Sequence, residues 1–87
     1  MSTSKHKNKH IDSSGGDALE GRYSNYFEVG YNAFEFITDF GQYFAENQKA
    51  ELYSRIITSP DYAKDLQKIL AESIKHYEKN FQPIQGE

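Results

Sequence analysis

The side chains able to do acid–base chemistry within a structured segment gather in one stretch. It is FEVGYNAFEFITDFGQYF, from Phe27 to Phe44, where Glu28, Glu35 and Asp39 stand among seven aromatic residues. Two carboxylates held close together have split pKa values and can act as general acid and base. If a hairpin turn centres on Tyr31-Asn32, Glu28 and Glu35 fall directly opposite each other. Like charges there are unfavourable unless solvent or a cation such as Arg55 separates them. No nucleophile, metal set or oxyanion device accompanies the pair, so the expected reading is a solvated or Arg-bridged surface pair. The histidines carry no stronger signal. His6 and His10 are four apart in a segment without a helical stripe, and His76 has only Glu72 and Lys79 within a turn. Neither group offers three converging ligands, and the chain has no cysteine to bind zinc. The expectation is a non-enzyme with no catalytic residue, no metal and no cofactor.

Exposed rings on a sheet can also stack on bases. Between Arg22 and Lys49, however, there is no Lys or Arg, while Glu28, Glu35, Asp39 and Glu46 are acidic. Phosphates are repelled by such a hairpin, which argues against it as a nucleic-acid surface. The basic tail Lys5-His6-Lys7-Asn8-Lys9-His10 is the one segment suited to a weak, non-specific contact with an anionic partner. A net charge of −3 gives no general attraction to nucleic acid or to an anionic membrane. The chain start lacks the apolar core of a secretory signal, and no run approaches the roughly 20 apolar residues of a membrane span. A cytoplasmic protein is expected, with no membrane partner.

The elements that must position these residues follow from periodicity. Met1 to Gly21 is polar and basic, with Met1, Ile11 and Leu19 as its only large apolar residues, and is expected to be a disordered tail. From Tyr23 the pattern has period two, which predicts a strand; Gly30-Tyr31-Asn32-Ala33 carries turn residues, and a second strand follows over Ala33 to Phe40. In that register Val29 faces Phe34, Phe27 faces Phe36 and Tyr23 faces Phe40, all on one side. Gly41 to Ala50 reads as a connection, and β-branched Ile56, Ile57 and Thr58 place a third strand over Glu51 to Thr58. Ser59 suits a helix N-cap, Pro60 the first helical position and Asp61 the positive end of the helix dipole. Tyr62, Leu66, Ile69, Leu70, Ile74, Tyr77 and Phe81 then form one apolar stripe, ending near Asn80-Phe81. The expected fold is α+β: a β-β-β-α domain over residues 22–84, its long C-terminal helix packed on one face of a three-stranded antiparallel sheet, with residues 85–87 disordered.

The helix should cover Phe27, Val29, Phe34, Phe36 and Phe40, joined by Leu52 and Ile56 or by Tyr53 and Ile57. The second face stays partly apolar. A folded part of about 65 residues buries only around 60% of its unfolded surface, and no disulfide supplements it. Tyr26, Ile37, Tyr53 and Ile57, with Arg55 offsetting the acidic pair, are therefore the expected association surface. A two-fold homodimer is the first expectation, with a second protein as a further partner.

Several ordered blocks also carry a resemblance. Arg22-Tyr23-Ser24-Asn25, Phe27-Glu28-Val29-Gly30, Glu35-Phe36, Asp39-Phe40-Gly41, Arg55-Ile56-Ile57, Ser59-Pro60, Ala63-Lys64 and Tyr77-Glu78, with Phe81, Pro83 and Ile84, resemble the short prokaryotic proteins grouped as domain of unknown function 3467. The resemblance covers Arg22 to Ile84. It implies a small, uncharacterised cytoplasmic protein and offers no active site to carry over. In some bacteria such genes lie beside those for large RNA polymerase subunits, which implies, as the alternative function, a transcription-linked accessory factor touching polymerase or nucleic acid.

Overall fold

The computed structural model describes residues 19–86. Most of the expected tail, Met1 to Ala18, and Glu87 lie outside the described residues, so neither expectation of disorder is addressed there. Three strands and a helix follow in the expected order: β1 (Tyr26–Tyr31), β2 (Phe36–Phe44), β3 (Lys49–Thr58) and α1 (Pro60–Asn80). The strands form one antiparallel sheet in the order β1-β2-β3. The fold is thus α+β. The chain divides into a sheet unit that ends at Pro60 and a helical unit that begins at Asp61.

The register of the first hairpin differs from the expected one. Val29 faces Thr38, not Phe34; Phe27 faces Phe40, not Phe36; and Tyr31 faces Phe36. The cause is Asn32. Its side-chain Oδ1 accepts the backbone N–H groups of Phe34 (2.8 Å) and Glu35 (2.9 Å), and its own N–H donates to the Glu35 carbonyl at 3.0 Å. This Asx-type closure opens the connection to Asn32–Glu35 and delays β2. Each β1 residue meets a partner four positions later than expected, and because four is even, parity survives and the apolar residues still share a side. Phe27 and Phe40 pack edge to face with centroids 5.7 Å apart, and Tyr31 stacks on Phe36 at 5.5 Å.

The expected connection from Gly41 to Ala50 is mostly strand. β2 continues to Phe44, β3 begins at Lys49, and only Ala45 to Gln48 turn, with Gln48 in the left-handed region at φ 55°. Gly41 looked like a loop residue but serves another purpose. Pairing jumps from Phe40 opposite Ser54 to Gly41 opposite Leu52, leaving Tyr53 as an extra residue in a β-bulge. A Cβ at Gly41 would press into the Glu51 carbonyl, 2.8 Å from its carbon, and lie 2.9 Å from Leu52 Cα. The bulge also resolves how β3 divides between the faces. Ile56 pairs across from Thr38 on the Phe27 side, whereas Leu52 and Ile57 lie on the other side with Gly41 and Ile37.

The helix begins at Pro60 after Ser59, with Asp61 in its first turn and Lys79 in its last. Phe81 N–H still reaches the Tyr77 carbonyl at 2.8 Å, and the two rings lie 4.9 Å apart. Beyond the helix, Ile84 N–H donates to a Glu78 carboxylate oxygen at 2.9 Å. No helix among the described residues is long and apolar enough to cross a membrane.

Burial departs most from expectation. Among the described residues no apolar side chain is buried. Of the five residues expected in the core, Phe27, Val29 and Phe34 are exposed, while Phe36 and Phe40 are half-buried. The helical stripe is also largely exposed, with Leu66 and Leu70 both more than half accessible. The close approach at Gly41 can be tested by substitution. Gly41→Ala should lower the unfolding free energy in urea by about 1–3 kcal/mol through overpacking against backbone. Gly30→Ala, in a position with nothing within 4 Å, should be neutral or stabilising by up to about 1 kcal/mol.

Candidate functional site

Side chains alternate across a strand, so the register divides the sheet into two unlike faces. One carries Phe27, Val29, Tyr31, Phe36, Phe40 and Ile56, with Thr38 among them. The other places Tyr26, Glu28, Asp39, Arg55, Ile37 and Ile57 together. This second face holds the polar groups that geometry has organised.

Its centre is Asp39, the one charged residue buried among the described residues, at 7% exposure. Removing a carboxylate from water is costly unless its oxygens are paired. Arg55 stands directly opposite on β3 and binds both: Nε donates to Oδ1 at 2.8 Å and Nη2 to Oδ2 at 2.9 Å. The two parallel bonds match the planar guanidinium fork. The guanidinium holds the Asp39 carboxyl below its usual pKa, against the opposing pull of desolvation, and Asp39 in turn raises that of Arg55. Arg55 itself stays 64% exposed.

Glu28 lies on β1 opposite Asp39. Its carboxylate accepts the Tyr26 hydroxyl at 2.6 Å, and this bond, with the negative charge beside it, raises the phenol pKa. The expected Glu28/Glu35 pair is not formed, because Glu35 sits in the loop that Asn32 closes. Arg55 thus bridges no glutamate pair; its acid is Asp39. The periodicity alone hid this, since Asp39 becomes opposite Arg55 only through the pairing of β2 with β3.

The segment before β1 runs along β2, and a side chain of β3 reaches across to it. Ser24 Oγ donates to the Gly41 carbonyl at 2.7 Å, Asn25 N–H donates to the same carbonyl at 3.1 Å, and Asn25 Oδ1 accepts Tyr43 N–H at 2.8 Å. The Tyr53 hydroxyl donates to the Tyr23 carbonyl, and the Arg22 guanidinium lies 3.7 Å above the Tyr53 ring, a cation–π contact. Sequence reasoning missed Arg22, Ser24 and Asn25 as parts of this site. The Arg-Tyr-Ser-Asn block just before the periodic stretch was the available signal.

The structure therefore brings Tyr26, Ile37, Arg55 and Ile57 of the expected association surface to one face, with Tyr53 bulged beside them. Glu35 is not among them. His6 and His10 lie outside the described residues, and among those described no group of three His, Cys, Asp or Glu could hold a metal ion. The arrangement presents two guanidinium groups, two phenols and a ring of aliphatic side chains.

A family model described as "Protein of unknown function (DUF3467)" matches residues 1–86, a span that includes the tail outside the quoted blocks. No curated protein and no solved structure matches the chain.

The Asp39–Arg55 pair gives a pH dependence of known sign. A carboxyl whose folded pKa is lowered contributes stability above its unfolded pKa and loses that contribution as pH falls through the folded value. The native protein should lose stability as pH drops below the usual carboxylate range. Asp39→Asn should be less stable near neutral pH but should converge on the native protein in acid, as read from urea midpoints between pH 7 and about pH 2.

Proposed function

The chain belongs to the DUF3467 family, and we propose that it is a non-enzymatic interaction module that self-associates as a homodimer and docks a second protein. The observation that carries this reading is the absence of any buried apolar side chain among the described residues, beside a sheet face bearing Phe27, Val29, Tyr31 and Ile56 at 56, 60, 74 and 56% exposure. Contiguous apolar area of this kind on a small domain marks a contact surface. Without cysteine the chain has no disulfide to offset its small core, and association is the remaining source of burial.

The two faces suit different contacts. The apolar face fits a second copy, since a symmetric pair places like residues against like and needs no charge matching. The opposite face, with Tyr26, Ile37, Tyr53, Arg55 and Ile57, combines phenols, an arginine and aliphatic residues, the mixture enriched where partners meet specifically. Its polar groups are already engaged with one another and lack a nucleophile, which supports binding over catalysis.

Light scattering at high micromolar concentration should return twice the 10.0 kDa mass of one chain. Val29→Asp should give a monomer, because a charge in an apolar contact is uncompensated, whereas Ile37→Asp on the other face should leave the dimer intact. A monomeric mass for the native protein would refute the self-association half of the proposal.

A further inference from the structure

We infer that the apolar sheet face is covered by α1 of a second copy, so that two chains exchange helices and each helix seats its stripe on the sheet of its partner. The inference rests on the reading above that this face meets a second copy, and it names the element of that copy which fills it.

Size supplies the first argument. Neighbouring strands lie about 4.8 Å apart, so a three-stranded sheet is roughly 10 Å wide between its edge strands, the diameter of one helix. Leu66, Leu70, Ile74, Tyr77 and Phe81 recur at steps of four and three, which places them within an arc of about 80°. That stripe runs for about 22 Å, and the six residues of β1 span about 20 Å. Lys64, Lys68, Lys75 and Lys79 fall on the opposite side of the helix, where they stay in water once the stripe is covered. One helix of this length therefore fills the face that carries Phe27, Val29, Tyr31 and Ile56.

Area supplies the second argument. The five helical residues are each at least 40% exposed, and the four sheet residues are more exposed still than that bound. With roughly 80 Å² hidden per half-exposed side chain, pressing two sheet faces together removes roughly 600 Å² of apolar surface and leaves both stripes bare. That falls below the area of about 1,000 Å² that a stable interface clears. Seating each stripe on the partner's sheet brings the total to roughly 1,400 Å², within the standard range.

The connection supplies the third. β3 ends at Thr58 and α1 begins at Pro60, so Ser59 alone joins them. The proline disfavours helical backbone at the residue before it and keeps Ser59 extended. Links between a strand and a helix that packs on the same sheet usually have about two to six residues. A shorter link invites exchange of the element between copies.

The test uses two variants of the full chain, Val29→Asp in the sheet and Leu70→Asp in the helix, each measured by light scattering alone and in an equal mixture at high micromolar concentration. Each alone should be monomeric, because both contacts of its dimer would bury an aspartate. The mixture should recover twice the mass of one chain, since the intact helix of Val29→Asp seats on the intact sheet of Leu70→Asp. A Leu70→Asp chain that stays dimeric alone, or a mixture that stays monomeric, would overturn the inference. A second measurement keeps the test decisive if either variant fails to fold. In native protein mixed from 13C-labelled and unlabelled chains, isotope-filtered NOE spectra should connect the Leu70 and Ile74 methyls of one chain to the Phe27 and Tyr31 rings of the other. Those contacts confined within one chain, or sheet-to-sheet contacts alone between chains, rule the exchange out. A native dimer without the helix-to-sheet contacts removes only the exchange, whereas a native monomer removes the self-association reading as well.

Discussion

The backbone of β3 comes so close to Gly41 that a side chain there would collide with Glu51 and Leu52. That approach is the constraint on which the rest of the sheet depends. It inserts Tyr53 as an extra residue, and the insertion changes the parity of β3 on its two sides. Without the bulge, Leu52 and Ile57 could not share a face, and Tyr53 would pair across from β2 instead of reaching the Tyr23 carbonyl. The Gly41 carbonyl also receives Ser24 and Asn25, so one glycine organises the segment that carries Arg22 into the site.

A second constraint follows from placing Asp39 in the middle of the central strand. The middle strand of three is the least hydrated position available, and a carboxylate there must be matched by a cation in fixed geometry. Arg55 provides the match, and because its own side chain reaches solvent, the pair is charged inside and still presents donors outside. The consequence is a division of labour between the faces. The paired polar side chains fall on one side, and the other carries Phe27, Val29, Tyr31, Phe36, Phe40 and Ile56 around Thr38, with Ser54, Gln42 and Glu51 farther along β2 and β3.

That division accounts for a module with little burial of its own. Cross-strand ring pairs such as Phe27 with Phe40 and Tyr31 with Phe36 each contribute of order 1 kcal/mol beyond their area, but none of these rings is fully removed from water. Three strands with a hydrophobic face are about the smallest sheet that stands alone.

The helix start at Ser59-Pro60-Asp61, its length to Asn80, the number and order of strands and the shared side of Phe27, Val29, Phe36 and Phe40 were all legible in the sequence. Each depends on local chemistry or on a period of two or 3.6, which is carried by residues close together in the chain. The side shared by Tyr26 and Ile37 was legible for the same reason, since an even shift of register preserves parity, whereas Arg55 and Ile57 join them through the register of β3, which the pattern left open. What only the tertiary structure decided is which residues meet. Asn32 bonding forward to Phe34 and Glu35 set the first register, and the close contact at Gly41 set the second. Those two choices replaced the Glu28/Glu35 pair with Asp39 and Arg55. They are choices between alternatives that satisfy the same hydrophobic pattern, so the pattern cannot distinguish them. Hydrogen bonds and steric contacts between residues distant in sequence can.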